Sequence, residues 1–260
     1  MRTFSHSGTT GDTFSSLSAV KILGGGDFYL KLHNLEPMIR EKLGWPDVGR
    51  HKGRMTIEDY ESIRDLMLHQ PYINRFEPWN GQHIDHELEN AALYLEPGVI
   101  PRNFPNQHAR ANNIDIVENF KQLQIEPYME CREPRSVPGR PIAVFRNPYY
   151  QDGNDLVSST YLNLIERGLA EQAFYIGLDS DHAWFEDTFK IKIPHVPTPD
   201  FMEMARLIQG SELLITNMSS ACALGLGLGK TMWIETRKLP TDTLERLETY
   251  YPYRINISYF

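Results

Sequence analysis

Asp12 closes a turn of small residues, Ser7-Gly8-Thr9-Thr10-Gly11-Asp12, that follows Arg2-Thr3-Phe4-Ser5-His6. A second turn of this kind, Thr216-Asn217-Met218-Ser219-Ser220, follows Glu212-Leu213-Leu214-Ile215 near the other end of the chain. Such turns, set between a strand and a helix, leave backbone N–H groups unpaired where the helix dipole also favours negative charge. Each is a candidate cradle for a phosphate or a sugar. A carboxylate in such a turn has the chemistry of a general base, accepting the proton of an attacking hydroxyl. Capping is the competing reason for Asp12, since Asp at a helix N-cap contributes about 1 kcal/mol, although Thr9, Thr10 and Thr13 are alternative caps. Ser219 and Ser220 add hydroxyl donors to their turn, with a plain serine cap as the bland alternative.

Four further groups have the right chemistry. Arg146 follows the apolar run Ile142-Ala143-Val144-Phe145, and the carboxyl end of a strand in a doubly wound sheet is where ligands lie. It is a candidate fixed cation for a departing anion, or else a surface arginine. His6, at the end of the first strand, is a candidate for orienting a hydroxyl beside Asp12, against a structural role. Asp85, His86 and Glu87 fall in an alternation of acids and histidines that suits a substrate-facing lining or an edge strand. Asp179-Ser180-Asp181 follows another strand and fits a ribose contact, a divalent cation held with a diphosphate, or a solvated turn.

The elements that must position these groups are clearest downstream of Pro141. Residues 142–145 read as a buried strand, and 156–169 as a helix with Val157, Tyr161, Leu164, Ile165 and Leu169 on one face. A strand at 173–178 follows, then a helix opened by Thr198 and Pro199, with Phe201, Met204, Ala205 and Ile208 inward and Gly210 as its stop. Residues 220–229 read as a helix despite Gly225 and Gly227, each costing about 1 kcal/mol, which close packing on a sheet would explain. Residues 231–235 form the next strand. The N-terminal part starts as a strand, a helix over 12–23 with Phe14, Leu17 and Val20 inward, three glycines and a strand at 27–32. Residues 57–68 look helical, whereas 79–110 show no clear period, and the Pro- and Arg-rich stretch 133–141 reads as a linker. Strands alternating with helices in this way predict an α/β fold with parallel, doubly wound sheets.

The chain has 260 residues, 41% hydrophobic and 23% charged, a globular composition with length for one large domain or two. No apolar run approaches the roughly 20 residues of a transmembrane helix, and no basic-then-apolar leader opens the sequence, so a soluble, cytoplasmic protein is expected. Cys131 and Cys222 do not make a disulfide framework or a zinc site, which fits a reducing compartment. The formal net charge of −8 argues against broad coating of a polyanion. A local basic groove is still conceivable from Arg132, Arg135, Arg140 and Arg146. Neither turn reads G-x-G-x-x-G, which disfavours a dinucleotide-dependent oxidoreductase.

Two lobes with helix N-termini turned toward one gap resemble the GT-B glycosyltransferases, and more narrowly the heptosyltransferases that use ADP-heptose in lipopolysaccharide synthesis. The segment Gly11-Asp12-Thr13-Phe14-Ser15-Ser16-Leu17-Ser18-Ala19-Val20 is similar to that family's first turn and helix. The segment from Ala205 to Ser220 resembles its helix, strand and turn for the donor diphosphate, and Gly177 to His182 with Phe185 resembles the turn whose acid meets the donor ribose. The resemblance implies two Rossmann-like domains, 1–136 on the acceptor side and 137–240 on the donor side, with 241–260 as a helix and tail packing back across them. It implies Asp12 as base and the turn of Asn217, Ser219 and Ser220 at the donor diphosphate, to which the strand-end reading of the residues adds Arg146, with His6 beside Asp12. Asp181 would meet the nucleoside, and Gly8, Thr9, Thr10, Gly11 and Asp85 would face the acceptor. The implied reaction is inverting and metal-independent, with a nucleotide sugar as co-substrate and no other cofactor. Its acceptor would be a surface-glycan precursor or a hydroxymethylated DNA base. A non-catalytic nucleotide-binding module is the alternative.

Overall fold

The computed structural model describes residues 1–32, 55–89, 104–148, 161, 167–235 and 257–259. In chain order the first part runs β1 (Arg2–His6), α1 (Thr10–Ile22), β2 (Gly26–Leu30), α2 (Ile57–Leu68), β3 (Ile73–Pro78), β4 (His86–Glu87), α3 (Phe104–Ala111) and α4 (Phe120–Gln124). The second runs β5 (Ile142–Phe145), β6 (Ala173–Gly177), α5 (Asp179–Phe189), β7 (His195–Pro197), α6 (Phe201–Gly210), β8 (Leu213–Asn217), α7 (Ser220–Gly227), β9 (Met232–Glu235) and β10 (Ile257–Tyr259).

Among the described residues these strands form two parallel sheets, ordered β3-β2-β1-β4 and β10-β9-β8-β5-β6-β7. The α/β, parallel-sheet expectation agrees with this architecture. β5 is buried along its whole length, as a strand covered on both faces must be. Its side chains alternate between two apolar clusters, Ala143 and Phe145 in one, Ile142 and Val144 in the other.

The first of those clusters reaches from one sheet to the other. It includes Phe4, Phe28 and Phe76 of the first sheet, Leu214, Met232 and Ile234 of the second, and Phe14, Leu17, Val20, Cys222 and Leu224 of α1 and α7 between them. The two helices lie side by side with their N-termini at the same end. A Cβ at Gly11, in the first turn of α1, would stand 3.6 Å from Ser220 Cα at the start of α7. At the opposite end Lys21 Nζ donates to Pro127 O at 3.0 Å, and a Cβ at Gly229, just past α7, would stand 2.6 Å from Pro127 Cγ. Small residues make this approach possible. Gly225 packs onto β8 and β9, where a Cβ would come within 2.7 Å of Leu214 Cδ2 and 2.9 Å of Met232 Cε, so close packing on the sheet accounts for it. Gly227 instead meets Met129 and Tyr128, on the stretch that leads away from α4.

Several elements differ from the sequence reading. The polar segment 179–189 is helical, α5, and a helix, α3, stands within the stretch that showed no period. The expected helix at 156–169 lies mostly outside the described residues, although Tyr161 is helical and fully buried. Of the tail, residues 257–259 add a parallel edge strand beside Met232, Trp233 and Ile234. The linker stretch is docked on α6, with Arg135 N donating to Arg206 O at 2.9 Å and Ser136 Oγ to Gly210 O at 3.0 Å.

Candidate active site between two helix N-termini

The β1–α1 turn is held by two hydrogen-bonded straps. Gly8 N–H donates to His6 Nδ1 at 2.8 Å, and both the backbone N–H and the hydroxyl of Thr9 donate to Asp12 Oδ2 at 2.9 Å. Gly8 sits in the angle between His6 and Asp12. A Cβ there would fall 2.4 Å from His6 Cε1 and 2.8 Å from Asp12 Oδ2, so only glycine fits. Asp12 is therefore a helix cap through Oδ2, while Oδ1 takes no hydrogen bond from the described residues.

The second turn abuts the first. A Cβ on Gly11 would reach van der Waals contact with Ser220, so the turn that carries His6, Gly8, Thr9 and Asp12 lies beside Ser220 at the N-termini of α1 and α7. Ser219, at the N-cap of α7, turns its hydroxyl back to Asn217 O at 3.2 Å and makes no side-chain cap. The first turn of α7 carries no acid. With two parallel dipoles presenting positive ends together and one first turn without a carboxylate, this end of the helix pair favours an anion. Asn217 is 3% exposed and bonds Asn147 through both ends of its amide, accepting at 3.2 Å and donating at 3.0 Å. It ties the β8 turn to the end of β5.

Other candidates stand elsewhere. Thr10 directs its hydroxyl to Met55 Sδ at 3.9 Å. Arg146 is 2% exposed and forms a two-pronged ion pair with Glu235, Nε to Oε2 at 2.9 Å and Nη2 to Oε1 at 3.0 Å. Its guanidinium also lies over the Trp184 and Phe189 rings, so its charge is committed to an inner face of the sheet, not turned out as a free cation. Asp85 accepts from Thr3 N at 2.9 Å and Thr3 Oγ1 at 3.0 Å, which hold its carboxyl below the usual range. Thr3 precedes His6 by three residues, about 10 Å along a strand, so Asp85 is separated from the Asp12 turn. Asp181 lies in the first turn of α5, its carboxyl raised by burial, at the same strand edge and about 10 Å across from β8. Its neighbour Asp179 pairs with His195 Nδ1 at 3.1 Å. Among the described residues no three His, Cys, Asp or Glu side chains group as metal ligands.

The four arginines of the conceivable basic groove are engaged one by one: Arg132 with Glu130, Arg135 with Glu203, Arg140 with Ala173 O, and Arg146 with Glu235. They do not pool their charge.

Two residues near the first turn escaped the sequence reading. Lys31 follows β2, its N–H donating to His6 O at 2.9 Å, and its ammonium holds Glu87 at 3.0 Å and Glu89. Burial works against that ammonium, and the bonds to Glu89 and Glu87 outweigh it to raise its pKa. His108, from α3, is buried with its ring 5.7 Å from that of His6. Burial, with His6 adding to it, pushes the His108 imidazole down to about 3, against a hydrogen bond to the Leu88 backbone. Lys31 was findable by the strand-end rule that singled out His6; nothing in the sequence tied His108 to it.

No protein-family model and no curated protein sequence matches the chain. Solved structures do. A glycosyl transferase family 9 protein from Veillonella parvula superposes with a TM-score of 0.57 at 9% identity, over 100% of this chain and 85% of that one. E. coli heptosyltransferase WaaC with ADP-2-deoxy-2-fluoro heptose gives 0.56 at 12% identity, over 100% and 93%. E. coli ADP-heptose lps heptosyltransferase II gives 0.50 at 12%, over 100% and 90%. No helix among the described residues is long and apolar enough to cross a membrane. Over its whole length the chain is similar in fold to heptosyltransferases and to a family 9 glycosyl transferase.

Proposed function

We propose that this protein is a glycosyltransferase that moves a sugar from a nucleotide-sugar donor to an acceptor hydroxyl, inverting the anomeric centre without a metal. The observation that carries the reading is the approach of Gly11 to Ser220, which brings the turn that carries Asp12 against a helix whose first turn holds no acid.

Asp12 Oδ1 takes the proton of the acceptor hydroxyl as that oxygen bonds to the anomeric carbon. On the opposite face the bond from this carbon to the diphosphate oxygen breaks, and the electron pair leaves with the diphosphate. The α7 backbone N–H groups, with Ser219 and Ser220, receive that charge, a task preorganised dipoles perform without reorganisation. Attack and departure on opposite faces invert the centre. Asp181, at the same strand edge, is the candidate for the donor ribose. Fold similarity to proteins solved with ADP and ADP-2-deoxy-2-fluoro heptose supports a nucleotide-sugar donor. Separate engagement of the four arginines favours a glycan over DNA as acceptor.

A thermal-shift panel of nucleotide sugars tests the donor side, because a ligand at about 100 times its dissociation constant stabilises by about 2.7 kcal/mol. The catalytic side is tested by Asp12→Asn, which keeps an acceptor for Thr9 and loses the base. Transfer should fall by about 100-fold or more with donor binding kept; full transfer by the variant removes Asp12 from the mechanism.

A further inference from the structure

We infer that His6 is a positioning residue for Asp12, acting through the backbone of the turn and only in its neutral form with the ring proton on Nε2. The inference rests on the reading of Asp12 as base and assigns His6 no contact with substrate.

The geometry is a short chain of bonds. Gly8 N–H donates to His6 Nδ1, so that nitrogen must carry a lone pair, and in a neutral ring the proton sits on Nε2. Fixing Gly8 fixes the next residue, Thr9, whose N–H and hydroxyl hold Asp12 Oδ2 and so determine where Oδ1 points. Gly8 is also the contact point of the two side chains, where a Cβ would overlap both. A protonated His6 would turn Nδ1 from acceptor to donor, set it against the Gly8 N–H, and release the strap.

The surroundings of His6 keep the ring neutral. It is 2% exposed and lies against the buried ring of His108. The charged groups facing it among the described residues are Asp12, Glu89 and Lys31. Burial is the largest influence and lowers the imidazole pKa; Asp12 and Glu89 pull the other way, and Lys31 adds to the lowering. Lys31, held by Glu87 and Glu89, also bonds the His6 carbonyl through its backbone N–H, which anchors the strand end carrying the ring.

Two replacements separate this role from mere packing. Asn places an amide oxygen near the position of Nδ1 and cannot titrate; Leu fills the space and accepts nothing. Backbone amide and imidazole ¹⁵N spectra of the ligand-free protein should show an unprotonated Nδ1 in His6. As pH falls, the Gly8, Thr9 and Asp12 amide signals should shift with the same midpoint as the His6 ring. His6→Asn should keep those amides near their wild-type positions at neutral pH and abolish the shift. His6→Leu should displace them at neutral pH and lower kcat about 100-fold with donor KM unchanged, the scale of a misplaced catalytic group.

A protonated Nδ1 at neutral pH, or Gly8 and Thr9 amides indifferent to the His6 ring and to His6→Leu, overturns the inference. A ring that stays neutral until the protein unfolds overturns its acid sensitivity. Should His6→Leu fail to fold, the Asn variant and the wild-type titration still decide. An active Asp12→Asn with the amide coupling intact would defeat the mechanism and spare the coupling; an inactive Asp12→Asn with no coupling would do the reverse.

Discussion

The β1–α1 and β8–α7 turns are built alike and finished differently. Each carries a parallel strand into a helix N-terminus through small residues, and the two helices run side by side. The first closes on its own carboxylate, with Asp12 bonded by Thr9. The second has no acid in its first turn, and Ser219 turns its hydroxyl away from the helix. One positive helix end is thus satisfied internally, and its neighbour is left to attract an outside anion. They differ also in backing: His6 and His108 lie behind the first, while Ala221, Cys222 and Leu224 lie in an apolar core behind the second.

The contrast breaks most sharply at Asp12. Its change to Asn should cut transfer by about 10²- to 10⁴-fold, measured as product formed per enzyme, whereas a Ser219→Ala variant should fall far less. Next in size is the response to acid. The folded-state pKa of His108 is pushed down to about 3, so the unfolded chain takes up that proton first. Stability from this residue is full above about pH 6.5 and drains away toward pH 3, at about 1.4 kcal/mol per unit. Urea titrations at pH 7 and pH 5 should show the loss in the wild type and a smaller loss in His108→Gln.

Giving the second turn what the first possesses sharpens the comparison. Ser220→Asp should stabilise α7 by about 0.3–1 kcal/mol through its dipole, yet weaken donor binding about 100-fold by setting like charge against the diphosphate. Calorimetry that found higher Tm and undiminished affinity would show that the diphosphate does not lie there. The smallest effect belongs to Thr9→Val, which keeps the N–H bond to Asp12 and drops the hydroxyl bond, a loss of about 1 kcal/mol in unfolding free energy.

Much of this was legible in the chain because it depends on local pattern. Apolar runs at 142–145 and 213–217, and the small-residue turns that follow strands, located the parallel sheets and both helix starts. Arg146 shows where a rule was applied too coarsely. Strand-end position pointed it at a ligand, but Ile142, Val144 and Arg146 share a side by alternation, and that side is the one filled by Phe185 and Phe189. Counting by twos would have sent the guanidinium inward, although nothing in the sequence names Glu235, 89 residues later, as its partner. α5 was missed because Asp-Ser-Asp-His-Ala-Trp-Phe-Glu-Asp-Thr-Phe buries only Phe185 and Phe189, too sparse a stripe to show a helical period. The His6 and His108 contact joins residues from elements far apart in the chain, a pairing that only tertiary structure makes.

The apolar cluster that runs unbroken from Phe28 to Ile234 has a mechanical consequence. Two sheets that share an apolar core along a common seam cannot part without wetting it, so heating should melt both in a single calorimetric step.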